Sequence, residues 1–278
     1  MKLDYEVAGI RLRFESEYLL KQSGFAPLFL SEFDEPECAV SVGLADVMDT
    51  AGDILYKTET NLAVRRDGEV HLFSKNTEKD EYIFDISGSG GRRKGLLSSA
   101  FFDPCADVYF LWRYIDLSGI LTGLGRLPLH CSFVAYGDEA LLFCGPSGIG
   151  KSTQADLWKV HAGAEILNGD RAAVYREGET LLAASLPVAG TSGICVNKTL
   201  PVKAFVILSQ SGVNTCARLY PLSAFSALMS NAAFEKYSRE QLDRVSGMCS
   251  RLAEEAPVFS LACTPDERAV TALLKALG

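Results

Sequence analysis

The sequence lacks the cysteine pairs that hold a zinc ion or run redox exchange. Its eight cysteines stand at 38, 105, 131, 144, 195, 216, 249 and 263. No two are separated by two residues, so neither a zinc knuckle nor a thioredoxin-type pair is present. Several lie in apolar runs, as Cys144 does after Leu141-Leu142-Phe143, and read as buried, reduced thiols. Long hydrophobic runs are also missing. The best, Val108–Leu121, is broken by Arg113 and Asp116 and falls short of the roughly 18–20 apolar residues of a spanning helix. The opening Met1-Lys2-Leu3-Asp4-Tyr5-Glu6 is too acidic for a secretory leader. Together these absences predict a cytoplasmic, reducing location with no membrane association, and exclude a disulfide-stapled secreted protein. Basic excess is absent too. There are 27 Lys and Arg against 35 Asp and Glu, a net charge of −8, which argues against a nucleic-acid coat. No internal repeat or low-complexity tract occurs, and 10% aromatic content with recurring apolar segments excludes a disordered chain.

What is present divides unevenly. Residues 1–100 carry 12 basic and 18 acidic side chains, whereas 101–278 carry 15 and 17. The acidic excess therefore sits in the first part, either as a solvated surface or as a docking face for a basic partner. A chain of 278 residues fits one large or two modest domains.

The first ninety residues read as strands. Leu3–Val7 and Ile10–Phe14 flank Ala8-Gly9, and Leu62–Arg66 and Glu69–Phe73 flank Asp67-Gly68, the stronger hairpin signal because both turn positions favour positive φ. Cys38–Leu44 and Tyr82–Ile86 are further candidates. The segment Ser87–Gly95, with four glycines and three basic residues, reads as an exposed linker or a mobile contact loop. It sets the expected boundary between a β-rich domain, 1–95, and an α/β domain, 96–278. A helix is expected from Asp103-Pro104 to about Thr122. Ser238 and Gln241 make a capping box ahead of a face of Leu242, Val245, Cys249, Leu252 and Ala256. Thr264-Pro265-Asp266-Glu267 starts the last helix, and Val202–Leu208 and Val258–Ala262 read as buried strands. Strands alternating with helices imply an α/β fold.

One motif carries chemistry. Gly145-Pro146-Ser147-Gly148-Ile149-Gly150-Lys151-Ser152-Thr153 fits the phosphate-binding pattern G-x-x-x-x-G-K-[ST], which a chain of this length matches by chance about one time in a hundred. Ala140–Cys144 reads as a buried strand before it, and Ser152–Lys159 as a helix after it, the context the motif needs. The glycines let the backbone point successive N–H groups at phosphate oxygens. The helix adds the positive end of its dipole. Lys151 is expected to reach the β- and γ-phosphates of ATP, and the Ser152 hydroxyl to ligate Mg²⁺.

The strand before the loop is the second arm of a hairpin, Leu129–Ala135 and Glu139–Cys144 about a turn at Tyr136-Gly137-Asp138. Here the sequence resembles the HPr kinase and phosphoenolpyruvate carboxykinase group of P-loop proteins, above all its HPr-kinase-like branch, over about residues 128–225. The resemblance implies a P-loop nucleotide-binding domain of that type, preceded by the β-rich N-terminal part. It implies that His130, fifteen residues before Gly145, stands at the active site. It also aligns Asn168-Gly169-Asp170-Arg171 with the family's Asp-Asp-Arg segment. Asp170 keeps the second acidic residue, with the implied roles of holding Mg²⁺ opposite Ser152 and taking a proton from the acceptor. Gly169 departs from the pattern. The stretch Leu186–Gly193 resembles a Pro-x-x-Gly segment of the same proteins.

The expectation is thus a kinase that moves the γ-phosphoryl of ATP to a serine-type hydroxyl on a protein, peptide or small molecule, with the acidic first domain able to seat a peptide. A homo-oligomer is compatible with the sequence. The competing expectation is a nucleotide-responsive binding protein with little or no catalysis, favoured by Gly169. Restoring Gly169→Asp is then expected to raise turnover. A transporter-type ATPase lacks its Leu-Ser-Gly-Gly-Gln signature here, and a carboxykinase is far longer. His71 and His161 read as structural, and Lys198, Lys203 and Arg218 as surface charges.

Overall fold

A computed structural model describes residues 1–235 and 237–278, and of Pro104 the backbone only. The chain is mixed α/β with two eight-stranded sheets, each in its own compact unit. One unit holds Met1–Gly123 with Glu235–Arg239, the other Leu124–Phe234 with Glu240–Gly278.

The first unit is built on β1 (Lys2–Val7), β2 (Ile10–Ser16), β3 (Cys38–Ala45), β4 (Asp53–Lys57), β5 (Asn61–Arg66), β6 (Glu69–Asn76), β7 (Glu81–Ser87) and β8 (Arg92–Ser98). They lie in the order β1-β2-β3-β8-β7-β6-β5-β4. Both expected hairpins form. Val7 pairs with Ile10 and Arg66 with Glu69, and Asp67 and Gly68 adopt φ of 52° and 81°.

Two expectations fail in this unit. The basic, glycine-rich segment is not a linker: β8 begins at Arg92 and pairs with β7 and, in parallel, with β3. The boundary therefore falls at Gly123 and Leu124 and not at residue 95. Residues 99–123 belong to the first unit because Trp112 packs edge-on against Tyr5 and Phe14 at 5.3 and 5.1 Å. The single helix expected over 103–122 is three short ones, α1 (Phe102–Cys105), α2 (Val108–Leu111) and α3 (Leu117–Gly123). Two aspartates restart the chain. Asp107 caps α2 by accepting from the Tyr109 N–H, and Asp116, at φ 50°, accepts from the Gly119 N–H. Asp103 is no cap, since Phe101 holds that position before α1. The fit expected of the Pro104 ring lies outside the described residues.

The second unit contains β9 (Leu127–Tyr136), β10 (Glu139–Cys144), α4 (Lys151–Ala162), β11 (Glu165–Asn168), β12 (Arg171–Glu177), β13 (Thr180–Ser185), β14 (Thr199–Gln210), β15 (Thr215–Arg218), α5 (Pro221–Asn231), α6 (Arg239–Glu255), β16 (Val258–Cys263) and α7 (Glu267–Leu277). The sheet runs β10-β9-β12-β13-β14-β16-β15, and β10 also pairs with β14. Strands β10, β14 and β16 are parallel.

The core shows a period of two. Ala140, Leu142 and Cys144 of β10 join a cluster with Leu228 of α5 and Val245, Cys249 and Leu252 of α6. Leu141 and Phe143 join the opposite cluster, with Trp158 of α4 and Val270 and Leu273 of α7. The sheet thus lies between two helical layers, which is why β10 is apolar at every interior position. On α6, Leu242 departs from the expected face and is exposed. The last helix is capped by Asp266, whose carboxylate accepts from the Arg268 N–H. No helix among the described residues is long and apolar enough to cross a membrane.

Candidate functional site

Three neighbouring strands assemble the site at one end of the second sheet. β10 ends at Cys144, which pairs with Cys131 of β9. The next residue back on β9, His130, pairs with Arg171 at the start of β12. The Cys131 N–H donates to the Asp170 carbonyl at 3.0 Å. Register alone therefore brings the loop after β10 to the same end of the sheet as His130 and Asp170.

The loop Gly145–Gly150 turns on three glycines with φ of 151°, 78° and 111° at positions 145, 148 and 150. A Cβ on Gly145 would lie 2.9 Å from Cγ2 of Ile149, so a larger residue is excluded there by space as well as by φ. Gly150 occupies the N-cap of α4, and no side chain caps the helix. Its first-turn N–H groups are thus available to an anion. Pro146, Ser147, Gly148, Ser152 and Thr153 are exposed, and Ile149 is half-buried.

Lys151 is buried and folds back over the loop, donating to the carbonyls of Gly145 at 2.8 Å and Pro146 at 3.1 Å. Burial lowers its pKa, and the Asp170 charge opposes that shift. An ammonium has three donors, and the loop engages two.

Asp170 is held from both sides. Nδ1 of His130 stands 3.4 Å from one carboxylate oxygen, and Nε of Arg171 stands 3.3 Å from the other. The His130 contact, and then Arg171, hold the carboxyl below its ordinary value of 3.8 against the opposing effect of burial. A depressed carboxylate contributes stability above its unfolded-state value and loses it as pH falls through the native one. The acid limb of a stability–pH curve is therefore expected to flatten in Asp170→Asn below about pH 4, as read by denaturant titration.

Sequence reasoning missed Asn168, which organises this end of the sheet. It is fully buried. Its side-chain oxygen accepts from the N–H groups of Asp170 and Arg171 at 2.9 and 3.0 Å. Its amide nitrogen donates to the carbonyls of Leu186 and Val188 at 2.9 and 3.1 Å. It thereby ties the Leu186–Gly193 stretch to the Asp170 turn. A Cβ on Gly190 would meet the Asp170 carboxylate at 2.8 Å. The only sequence signal for Asn168 was its place beside Gly169.

Gly169 has a local reason. A Cβ there would lie 2.1 Å from the Ser192 oxygen and 2.4 Å from its Cβ. Rotating Ser192 does not relieve the second contact, so the chain itself would have to move. The restoration expected from sequence therefore meets filled space. Gly169→Asp is expected to cost about 1–3 kcal/mol by overpacking, and Ser192→Gly in the same chain to recover most of it, as measured by denaturation.

The donor set has one carboxylate. Among the described residues no group of three or more His, Cys, Asp or Glu could hold a metal, and no hydrogen bond or ion pair joins Ser152 to Asp170. This fits an ion such as Mg²⁺ that binds through one or two carboxylates together with substrate phosphates, and does not fit an all-protein cage. The remaining candidates stand apart. His71 pairs with Asp85 in the first unit at 2.9 Å, His161 faces Glu267 at 3.9 Å, and Lys198 and Lys203 are bound to Glu165 and Glu139.

No family model and no curated protein matches the sequence. Among solved structures, an Hpr(Ser) kinase/phosphatase from Coxiella burnetii is similar over 46% of this chain and 92% of its own, at 15% identity and a TM-score of 0.26. Residue geometry, and not that distant likeness, carries the functional reading.

Proposed function

We propose that the second unit binds ATP with Mg²⁺ and transfers the γ-phosphoryl to a serine-type hydroxyl of a protein, peptide or small molecule. The observation that carries this reading is the register of β10, β9 and β12, which gathers the glycine loop, Lys151, His130 and Asp170 at one sheet end. The loop amides and the uncapped start of α4 cradle phosphate oxygens, and the third Lys151 donor serves the outer phosphates. Ser152 and Asp170 are the residues that would hold Mg²⁺, whose chemistry there is to neutralise charge on the phosphates.

Asp170 orients the acceptor hydroxyl and takes its proton at a carboxylate oxygen. It is a weak base, since its pKa is lowered. That suits phosphoryl transfer, whose loose transition state asks for little proton removal and much positioning. His130 and Arg171 keep the carboxylate ionised and aimed.

Transfer of labelled phosphate from ATP to serine-containing acceptors tests this reading. Asp170→Asn is expected to lower the rate about 10²–10⁴-fold while changing ATP affinity by only a few-fold. Equal rates in the two proteins would remove Asp170 from the chemistry.

The crowding of Ser192 on Gly169 favours a second reading, in which a single carboxylate suffices for binding but not for turnover and the protein responds to nucleotide as a regulator. Bound ATP recovered intact after hours with a broad acceptor panel would select it over the first.

A further inference from the structure

The chain carries a hydroxyl of its own at the site. Residues 186–196 fold over the Asp170 turn and are fastened at both ends. The Asn168 amide holds the carbonyls of Leu186 and Val188. On the return, the Gly169 N–H donates to the Ile194 carbonyl at 3.4 Å and the Val196 N–H to the Leu167 carbonyl at 2.7 Å. Ala189 and Cys195 are buried, and between them Gly190, Thr191 and Ser192 are exposed. The segment is an anchored loop with its open tip beside Asp170.

Two close approaches place that tip. Gly190 passes so near Asp170 that a Cβ on it would lie 2.8 Å from a carboxylate oxygen. Two residues on, the Ser192 oxygen lies 2.1 Å from where a Cβ on Gly169 would stand. The Ser192 side chain is thus packed against the residue that precedes the proton-accepting carboxylate. Its oxygen accepts from the Ile194 N–H at 3.3 Å, and its own hydrogen remains available to donate. Ser132 also reaches Gly169, but it is buried and donates to the Gly169 carbonyl at 3.4 Å. Of these two hydroxyls, Ser192 is the one open to an incoming phosphate. The turn that carries it has glycine at both ends. It is closed by a long bond from the Gly193 N–H to the Gly190 carbonyl, 3.4 Å, and Gly193 has φ of 63°. Glycine at these positions gives the backbone freedom to swing the hydroxyl towards the carboxylate.

We infer that Ser192 is a phosphoryl acceptor for this site, so that the protein phosphorylates itself within one chain. The inference rests on the kinase reading and names one substrate of it. The Ser192 oxygen forms a new bond to the γ-phosphorus of ATP. The bond from that phosphorus to the β–γ bridging oxygen breaks, and its electron pair leaves with ADP. The hydroxyl proton passes to a carboxylate oxygen of Asp170. A hydroxyl anchored beside the reacting groups has a high effective concentration, so transfer to it needs no separate docking surface.

Incubation of the intact protein with γ-labelled ATP and Mg²⁺, without an added acceptor, tests this. Label is expected on the protein, and mass spectrometry of its peptides is expected to place it on Ser192. At saturating ATP the first-order rate is expected to stay constant on about tenfold dilution of the protein, as an intramolecular step requires. Asp170→Asn is expected to slow labelling about 10²–10⁴-fold. Ser192→Ala is expected to lose the label while phosphorus NMR still shows ATP bound, which also shows that the variant is folded. Thr191→Ala is expected to keep it. Label on another residue, undiminished label in Ser192→Ala, or a rate that rises with protein concentration would overturn the inference. Wild-type protein that stays unlabelled would overturn it too. Transfer to an added acceptor would then leave the kinase reading standing, whereas ATP resonances unmoved by excess protein would remove the phosphate reading as well.

Discussion

Replacing Lys151 by alanine is expected to lower ATP turnover by about 10²–10³-fold, the loss seen when a fixed donor to developing transition-state charge is removed. Two effects add. The ammonium proposed to serve the outer phosphates is gone, and the carbonyls of Gly145 and Pro146 that it now bridges lose their partner, so the loop is expected to relax. Lys151→Arg is a sharper probe. Its charge is kept, but a planar fork does not replace a compact ammonium seated between two carbonyls at 2.8 and 3.1 Å. It is expected to recover little activity. Steady-state ADP release measures both variants, and near-normal turnover in Lys151→Ala would detach the motif from function.

Asn168→Ala is expected to destabilise the second unit by about 3 kcal/mol or more. Four hydrogen bonds are lost at a position with no solvent access, and buried groups left unpaired cost about 1–3 kcal/mol each before the surroundings relax. The same change frees the Asp170 turn, so turnover is expected to fall further than stability alone accounts for. Asn168→Asp separates the two roles. It keeps an acceptor for the Asp170 and Arg171 N–H groups, loses the donors to Leu186 and Val188, and buries a charge. Denaturant unfolding with activity measured well below the transition checks this. Wild-type stability in Asn168→Ala would show that the Leu186–Gly193 stretch is tied down by other contacts.

Much of this was legible in the sequence where local chemistry decides. Asp67-Gly68 and Ala8-Gly9 supply the positive φ that two-residue hairpins need, and both hairpins form. The glycine loop is set by Gly145, Gly148 and Gly150, so its strand–loop–helix context could be read from residues 140–159. The rest depends on partners distant in sequence. The basic segment at 92–95 resembles a linker until β3 and β7 claim it as a strand. The 103–122 helix fails at Asp107 and Asp116, whose side chains restart the backbone, a competition that apolar periodicity does not register. Asn168 stayed unread because its meaning lies in carbonyls 18 and 20 residues away. Gly169 reads as a missing carboxylate in sequence. In the fold it is the space that Ser192 fills.

The central claim is that the Gly145–Ser152 loop holds the phosphates of ATP. Phosphorus NMR of ATP with Mg²⁺, titrated with the intact protein, tests it most directly. The account predicts that the β and γ resonances shift and broaden at stoichiometric protein, and that Lys151→Ala abolishes the change. ATP resonances that stay at their free positions in excess wild-type protein would contradict it.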